Sequence, residues 1–274
     1  MTAEPVPAHA PSLGFGGWLY AHLDRTFAIV DYEVRKLRHD PSELLLRAVQ
    51  PALWLLVFGE VFSSIHVIPT GNFTYLQFLA PGILCQSVLF IAIFYGIASI
   101  RERELGIVYR FLVSPASRVS LVGGKALSAS VRGLSQAIIV YVLAVALAVH
   151  PSLAPLDVLG VLIAVVLGSC LFATLSMIIA SLVKTPERFL GIGQLMTMPL
   201  FFASSAIYPI SIMPAWLRPV AYANPLTYLV DAVRPLMIPG ETSLFPLGVD
   251  FAVLFGVTLG LILLESRLYP RMAQ

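Results

Sequence analysis

Phe73 to Ile100 reads FTYLQFLAPGILCQSVLFIAIFYGIASI, 28 residues without a charged side chain, and Arg101-Glu102-Arg103-Glu104 follows at once. A helix needs about 20 apolar residues to cross the roughly 30 Å hydrocarbon core of a bilayer. This run is long enough, and the abrupt return of charge marks its exit into water. The rest of the chain agrees. Of 274 residues, 58% are hydrophobic and only 12% charged, against about 25% charged in a soluble domain. So few charges cannot cover a soluble fold of this size, which predicts an all-α membrane protein.

Five further runs flank the first one. Leu44 to Ile65 is interrupted only by Arg47 and Glu60, near opposite ends where charge costs less than at the centre. Gly133 to Val149, Val158 to Val183, Phe189 to about Ala206, and Leu247 to Leu264 complete the set. Six spans are therefore expected, at about 44–65, 76–100, 133–149, 158–183, 189–206 and 247–264. Pro199, Pro209 and Pro214 punctuate the stretch after Phe189, which predicts irregular or re-entrant backbone at the outer face before the last span.

Orientation follows from Lys and Arg, which favour the cytoplasmic side. Fifteen of the seventeen lie in 1–47, 101–132, 184–188 and 265–274, and only Arg218 and Arg234 lie in the opposite connections. Both termini are then cytoplasmic, as six spans require. Residues 1–18 carry Glu4, Pro5, Pro7 and Pro11 rather than a basic start and an apolar core, so no cleavable signal is expected and the first span directs insertion.

Two cytoplasmic segments have helical amphipathic spacing. Leu19, Leu23, Phe27, Val30, Val34 and Leu37 form one apolar face of an interfacial helix that Asp40-Pro41 ends. Residues 1–40 thus form a tail and interfacial helix, and 41–274 the transmembrane domain. From Arg101 to Pro115, alternating charges precede an apolar stripe of Leu105, Val108 and Leu112. That stretch reads as a docking surface for a cytoplasmic protein, with a solvated loop as the plainer reading.

Several chemistries are not signalled. No GxxxxGK[ST] phosphate loop occurs, and Gly123-Gly124-Lys125-Ala126 lacks both its spacing and its hydroxyl. The histidines (9, 22, 39, 66, 150) are scattered, and HExxH and GxSxG are missing. Cys85 and Cys170 sit in apolar runs and read as small hydrophobes. No metal site, cofactor or nucleic-acid partner is expected for this chain. Asn72-Phe73-Thr74 matches a glycosylation sequon and Gly256-x-x-x-Gly260 a close-packing motif, both common by chance.

Arg47, Glu60 and Asp250 are ionisable groups in or near the hydrocarbon and so are candidates by default. Arg47 is expected to snorkel. Glu60 could line a substrate path or pair with a cation at the outer rim. The segment from Ala206 to Pro239 is dense in Pro and aromatics, with Tyr208, Trp216, Tyr222 and Tyr228. It reads either as an aromatic belt or as an outer gate.

Three strings together resemble the permease subunits of type-2 ABC exporters, the daunorubicin-resistance and nodulation-factor (lipo-oligosaccharide) export permeases in particular. They are Ala206-Ile207-Tyr208-Pro209 with Met213-Pro214-Ala215-Trp216-Leu217; then Asn224-Pro225-Leu226-Thr227-Tyr228-Leu229-Val230-Asp231-Ala232-Val233-Arg234; and Arg101-Glu102-Arg103 with Leu112-Val113-Ser114-Pro115 and Gly124-Lys125. One departure is Gly106-Ile107-Val108-Tyr109-Arg110-Phe111, where the family usually has Gly-Thr and Glu before Arg-Leu-Leu. The resemblance implies a six-helix half-pore that pairs with a second copy, with each copy docking a separate ATPase that holds ATP and Mg. It also implies a connecting helix in 1–40 and a coupling helix carrying Arg101, Glu102, Arg103, Glu104, Leu105, Arg110 and Pro115. The outer gate or substrate path would involve Glu60, Tyr208, Trp216, Asn224, Pro225, Tyr228, Asp231 and Arg234. The implied cargo is an amphipathic drug, glycolipid or lipid-linked saccharide, exported across a bacterial inner membrane. The competing readings are a lipid-modifying membrane enzyme, which would need a polar constellation facing one leaflet, and a non-transporting scaffold or channel.

Overall fold

The computed structural model describes residues 48–59, 61–62, 73–109, 117–183 and 185–270. The expected interfacial helix in residues 1–40 and the candidates Arg47, Glu60, Arg110 and Pro115 lie outside the described residues.

Every regular element among the described residues is helical. Helix α1 is Ala48–Gly59, with π geometry over Trp54–Gly59. Helix α2 is Tyr75–Glu104. Thr74 and Gln77 cap its start reciprocally: the Gln77 amide N–H donates to Thr74 Oγ1, and the Thr74 N–H donates to Gln77 Oε1 at 2.9 Å. The α2 ladder runs past the apolar stretch because Arg101 to Glu104 are good helix formers with no breaker among them. It ends at Leu105 and Gly106, where a φ of +69° suits glycine. Arg101 to Glu104 are thus the last turn of a spanning-length helix, not the start of a separate one. Leu105 is 74% exposed while Val108 is buried, so the expected stripe of Leu105, Val108 and Leu112 is divided at the turn.

Helix α3 is Arg118–Ala146, capped by Ser117. It starts fifteen residues before the expected Gly133, since a helix end and a hydrocarbon boundary are set by different physics. Left-handed backbone at Ala148 and His150 turns the chain into α4, Pro155–Leu182. Helix α5 is Pro186–Phe202, with Thr185 as cap and Pro186 in the first turn. It stops four residues short of the expected Ala206. Helices α6 (Arg218–Ala223) and α7 (Pro225–Met237) precede α8, Leu247–Leu268.

Four helices, α2, α3, α4 and α8, are long and apolar enough to cross a membrane. α1 spans 12 residues as described and α5 has 17; at 1.5 Å per residue α5 is about 26 Å long. The chain packs as an up-and-down bundle, as contacts at its two ends show. At the Pro-rich end, Gln77 Nε2 meets the Val149 carbonyl and the Ser152 N–H meets the Met237 carbonyl. At the opposite, Arg-rich end, Arg103 reaches Val183 and Glu102 reaches Lys125.

Helix α4 is the hub, packed against α2, α3, α7 and α8. Two close approaches tighten the packing. A Cβ on Gly96 would overlap Ser176 and Phe189, and the Gly96 N–H donates to Ser176 Oγ at 2.8 Å. A Cβ on Gly82 would overlap the Ala206 carbonyl, where the chain beyond α5 crosses α2. Leu229 packs at Gly168 and Leu236 at Gly160, so α7 runs antiparallel to α4 before the chain turns into α8. Ser87, Thr174 and Thr258 donate to the carbonyl four residues back, which satisfies their hydroxyls within their own helices. Helix α8 is the most open of the four: a side chain at Gly256 or Gly260 would meet empty space, so among the described residues that motif joins nothing.

Candidate functional site

The Arg-rich end is built on the last turn of α2. Both Arg103 Nη1 and Nη2 donate to the Val183 carbonyl at 3.1 Å, and Nη1 also reaches the Ala180 carbonyl at 3.5 Å. The last carbonyls of a helix have no partner within it and carry partial negative charge, so a guanidinium suits them. Arg103 therefore ties the tip of α2 to the end of α4. One position earlier, Glu102 accepts an ion-paired hydrogen bond from Lys125 of α3, whose ammonium stands 5.5 Å above the Tyr269 ring. Arg101, Glu104, Leu105 and Tyr109 point outward. The expected docking residues thus fall into two groups. Glu102 and Arg103 fix the tip to its neighbours, and Arg101, Glu104 and Leu105 face what lies beyond it.

Lys125, Glu265 and Tyr269 belong to this end, and hydropathy and motif alone did not single them out as site residues. Glu265 is fully buried, and neither of its carboxylate oxygens has a hydrogen-bond partner among the described residues. Ser181 lies close enough to Glu265 to influence it, while its hydroxyl donates to the Ile178 carbonyl at 2.7 Å. A glutamate four positions before a tyrosine, just past an apolar run, places both on one helical face. That spacing was visible in the sequence, but its partner on α3 was not.

At the Pro-rich end, three of the gate candidates share the buried face of α7. Asn224 Nδ2 donates to the Leu200 carbonyl at 2.6 Å and the Ala203 carbonyl at 2.9 Å, while its Oδ1 accepts the Leu226 N–H at 3.0 Å. One side chain thus caps the start of α7 and the end of α5, and Pro225 follows in the first turn. Asp231 accepts the Leu244 and Phe245 N–H groups at 2.8 and 2.9 Å and so fixes the approach to α8. Arg234 donates to the Ser205 carbonyl at 2.7 Å and lies 3.9 Å from the Phe78 ring centroid. Burial raises the Asp231 carboxyl above its usual range, against the opposing pull of those two amides and Arg234. Burial also lowers the Arg234 guanidinium to about 10, so it stays a cation at neutral pH.

Asn224, Asp231 and Arg234 are therefore buried fasteners within this chain. Their seven- and three-residue spacing places them on one inward face, where each bonds to backbone groups and Arg234 Nε has no partner among the described residues. The aromatics behave differently. Trp216 is 73% exposed and Tyr222 also stands out. Tyr208 and Tyr228 are half-buried and donate to the Phe202 and Tyr222 carbonyls. Asp250, in the first turn of α8, is fully buried within electrostatic reach of Asp231, with no hydrogen-bond partner for its carboxylate among the described residues.

Known proteins similar to this chain agree with one another. The family model described as ABC-2 type transporter matches residues 24–238. A protein named as a putative transport permease, ycf38, from Cyanophora paradoxa is 30% identical over 218 residues, covering 77% of this chain and 73% of that one. The daunorubicin resistance ABC transporter permease protein DrrB1 of Streptomyces coeruleorubidus is 27% identical over 236 residues, covering 85% and 81%. Nodulation protein J of Rhizobium leguminosarum bv. trifolii is 27% identical over 200 residues, covering 72% and 74%.

Proposed function

Because this chain belongs to the ABC-2 type transporter family, we propose that it is the membrane subunit of an exporter driven by a separate ABC ATPase. In this reading six helices cross the membrane, with both termini and the Arg-rich end in the cytoplasm. The stretch from Ala203 to α7 is the re-entrant part at the outer face. Two copies form the pore, each docking one ATPase subunit, and ATP and Mg are held by those subunits. The membrane is a bacterial inner membrane. The cargo is an amphipathic drug, a glycolipid or a lipid-linked saccharide, in keeping with the names of the daunorubicin and nodulation relatives.

The observation that carries this reading is the tip of α2. Closure of an ATPase pair moves membrane helices only when it favours one of their arrangements over another. A flexible loop would dissipate that bias. The α2 tip is instead braced by Arg103 against α4 and by Glu102 against α3, and Leu105 and Tyr109 project beyond the brace.

The test is reconstitution in liposomes with ABC ATPase subunits from the same genome. ATP-dependent accumulation of a fluorescent amphiphile or a lipid-linked saccharide is expected, with the ATPase co-purifying. Failure of every such ATPase to bind the intact permease would overturn the reading.

A further inference from the structure

We infer that Lys125 is a shared cation with two carboxylate docks, Glu102 on the tip of α2 and Glu265 on α8, and that its transfer between them carries movement of the tip into α8. The inference rests on the exporter reading and assigns coupling roles to Lys125 and Glu265, which lie outside the docking stretch.

Three observations meet here. Glu265 is completely buried, yet neither carboxylate oxygen is hydrogen-bonded among the described residues. A buried acceptor left without a partner is costly and needs a reason. Secondly, Glu265 faces the right way. Tyr269 lies one turn further on the same face of α8, and its ring lies beneath the Lys125 ammonium. Lys125 and Glu265 are within electrostatic reach of each other. Thirdly, Ile100, Val108, Val122, Met177, Phe189 and Tyr269 pack in one apolar cluster around this point. In such surroundings charges act strongly on one another.

The chemistry suits exchange. Lys presents three donors on a flexible four-carbon stem, whereas a guanidinium fork would be held in one geometry. Among the described residues, the resting arrangement pairs the Lys125 ammonium with Glu102 and leaves the Glu265 carboxylate oxygens without a hydrogen bond. Glu102 sits on the tip that a docked motor would push. If it withdraws, the ammonium passes to Glu265, and α3 is then bound to α8 instead of α2. Coupling between distant sites requires an element with two discrete arrangements that both sites bias, and a cation with two docks supplies it.

The first experiment uses the purified permease alone and does not depend on an ATPase. Glu265→Gln is introduced into the wild type and into Glu102→Gln, and the unfolding equilibrium in detergent is followed by tryptophan fluorescence. The inference expects Glu265→Gln to shift that equilibrium at least tenfold more in the Glu102→Gln background, because Lys125 has by then moved to Glu265. Equal shifts in both backgrounds would overturn it. Should Glu102→Gln fail to accumulate, Glu102→Asp withdraws the first dock by one methylene and must show the same excess in smaller measure. The second experiment uses the reconstituted complex. Glu265→Gln is expected to slow export at least tenfold with the ATPase recovered at the wild-type ratio, and Glu265→Asp to restore part of the rate. Undiminished export in Glu265→Gln would sink the inference. An ATPase that fails to bind the wild-type permease would instead sink the functional reading and leave the first experiment standing.

Discussion

The two ends of the bundle both bury charge, but they handle it in opposite ways. At the Pro-rich end, Asn224, Asp231 and Arg234 each bond to backbone N–H or C=O groups. Backbone partners are fixed by the fold, so these three side chains have one arrangement, although Asp250 beside them is buried with no hydrogen-bond partner among the described residues. At the Arg-rich end, Lys125 bonds to a side-chain carboxylate, and a second buried carboxylate, Glu265, feels its charge. Side-chain partners can trade, so this end has more than one. One end is thus held by partners that move only with the fold, and the other by partners that can exchange.

Substitutions can break or sharpen this contrast. The largest effect is expected from Arg234→Ala, which orphans the Ser205 carbonyl, vacates the face of Phe78 and leaves Asp231 and Glu241 without their nearby cation. Removing one partner from a buried charged network costs about 3–5 kcal/mol. Size-exclusion profiles of the detergent-extracted protein should show loss of the folded peak, and a normal profile would mean the Pro-rich end is looser than these contacts imply. Asn224→Ala removes three hydrogen bonds and two helix caps, at about 2–3 kcal/mol. Thermal unfolding should register this, with Asn224→Asp intermediate because it keeps the bond from Leu226.

At the Arg-rich end, exchanging both Glu102 and Glu104 for Lys should detach the ATPase or lower export about tenfold, equivalent to about 1.4 kcal/mol. Export at the normal rate with the ATPase still bound would count against the docking role of this turn. The structure also divides that pair. Glu102→Lys alone should account for most of the loss, and Glu104→Lys, on an exposed turn, should change stability by less than about 0.5 kcal/mol. A modest gain is expected at the Pro-rich end, away from its buried charges. Ala148 adopts a φ of 56° in the α3–α4 turn, and left-handed backbone costs a residue with a Cβ about 1–2 kcal/mol. Ala148→Gly should therefore raise the unfolding midpoint slightly, and a lowered midpoint would show that the turn depends on the methyl group.

Much of the bundle was legible from hydropathy. The apolar runs at Phe73–Ile100, Val158–Val183 and Leu247–Leu264 became α2, α4 and α8 with ends shifted by a few residues. The first half of α3 was not legible, because Arg118 to Arg132 is too polar to read as a span and hydropathy says nothing about a helix that leaves the bilayer. The end of α5 was missed for a related reason: apolarity continues to Ala206, but the backbone turns after Phe202, where Asn224 takes its last carbonyls. The string containing Asn224, Asp231 and Arg234 stood out at once. Its role did not, since Phe78, Ser205 and Leu244 come from three other parts of the chain.

By itself the sequence determined the solvent. Twenty-odd apolar residues in a row have no low-energy home but hydrocarbon, and their backbones have no low-energy form there but helix. It also determined which groups were too expensive to bury idly. Only the tertiary structure decided their partners. A hydrogen bond or ion pair depends on ångström distances between residues as far apart in the chain as Phe78 and Arg234, or Lys125 and Glu265, and local patterns do not encode those distances.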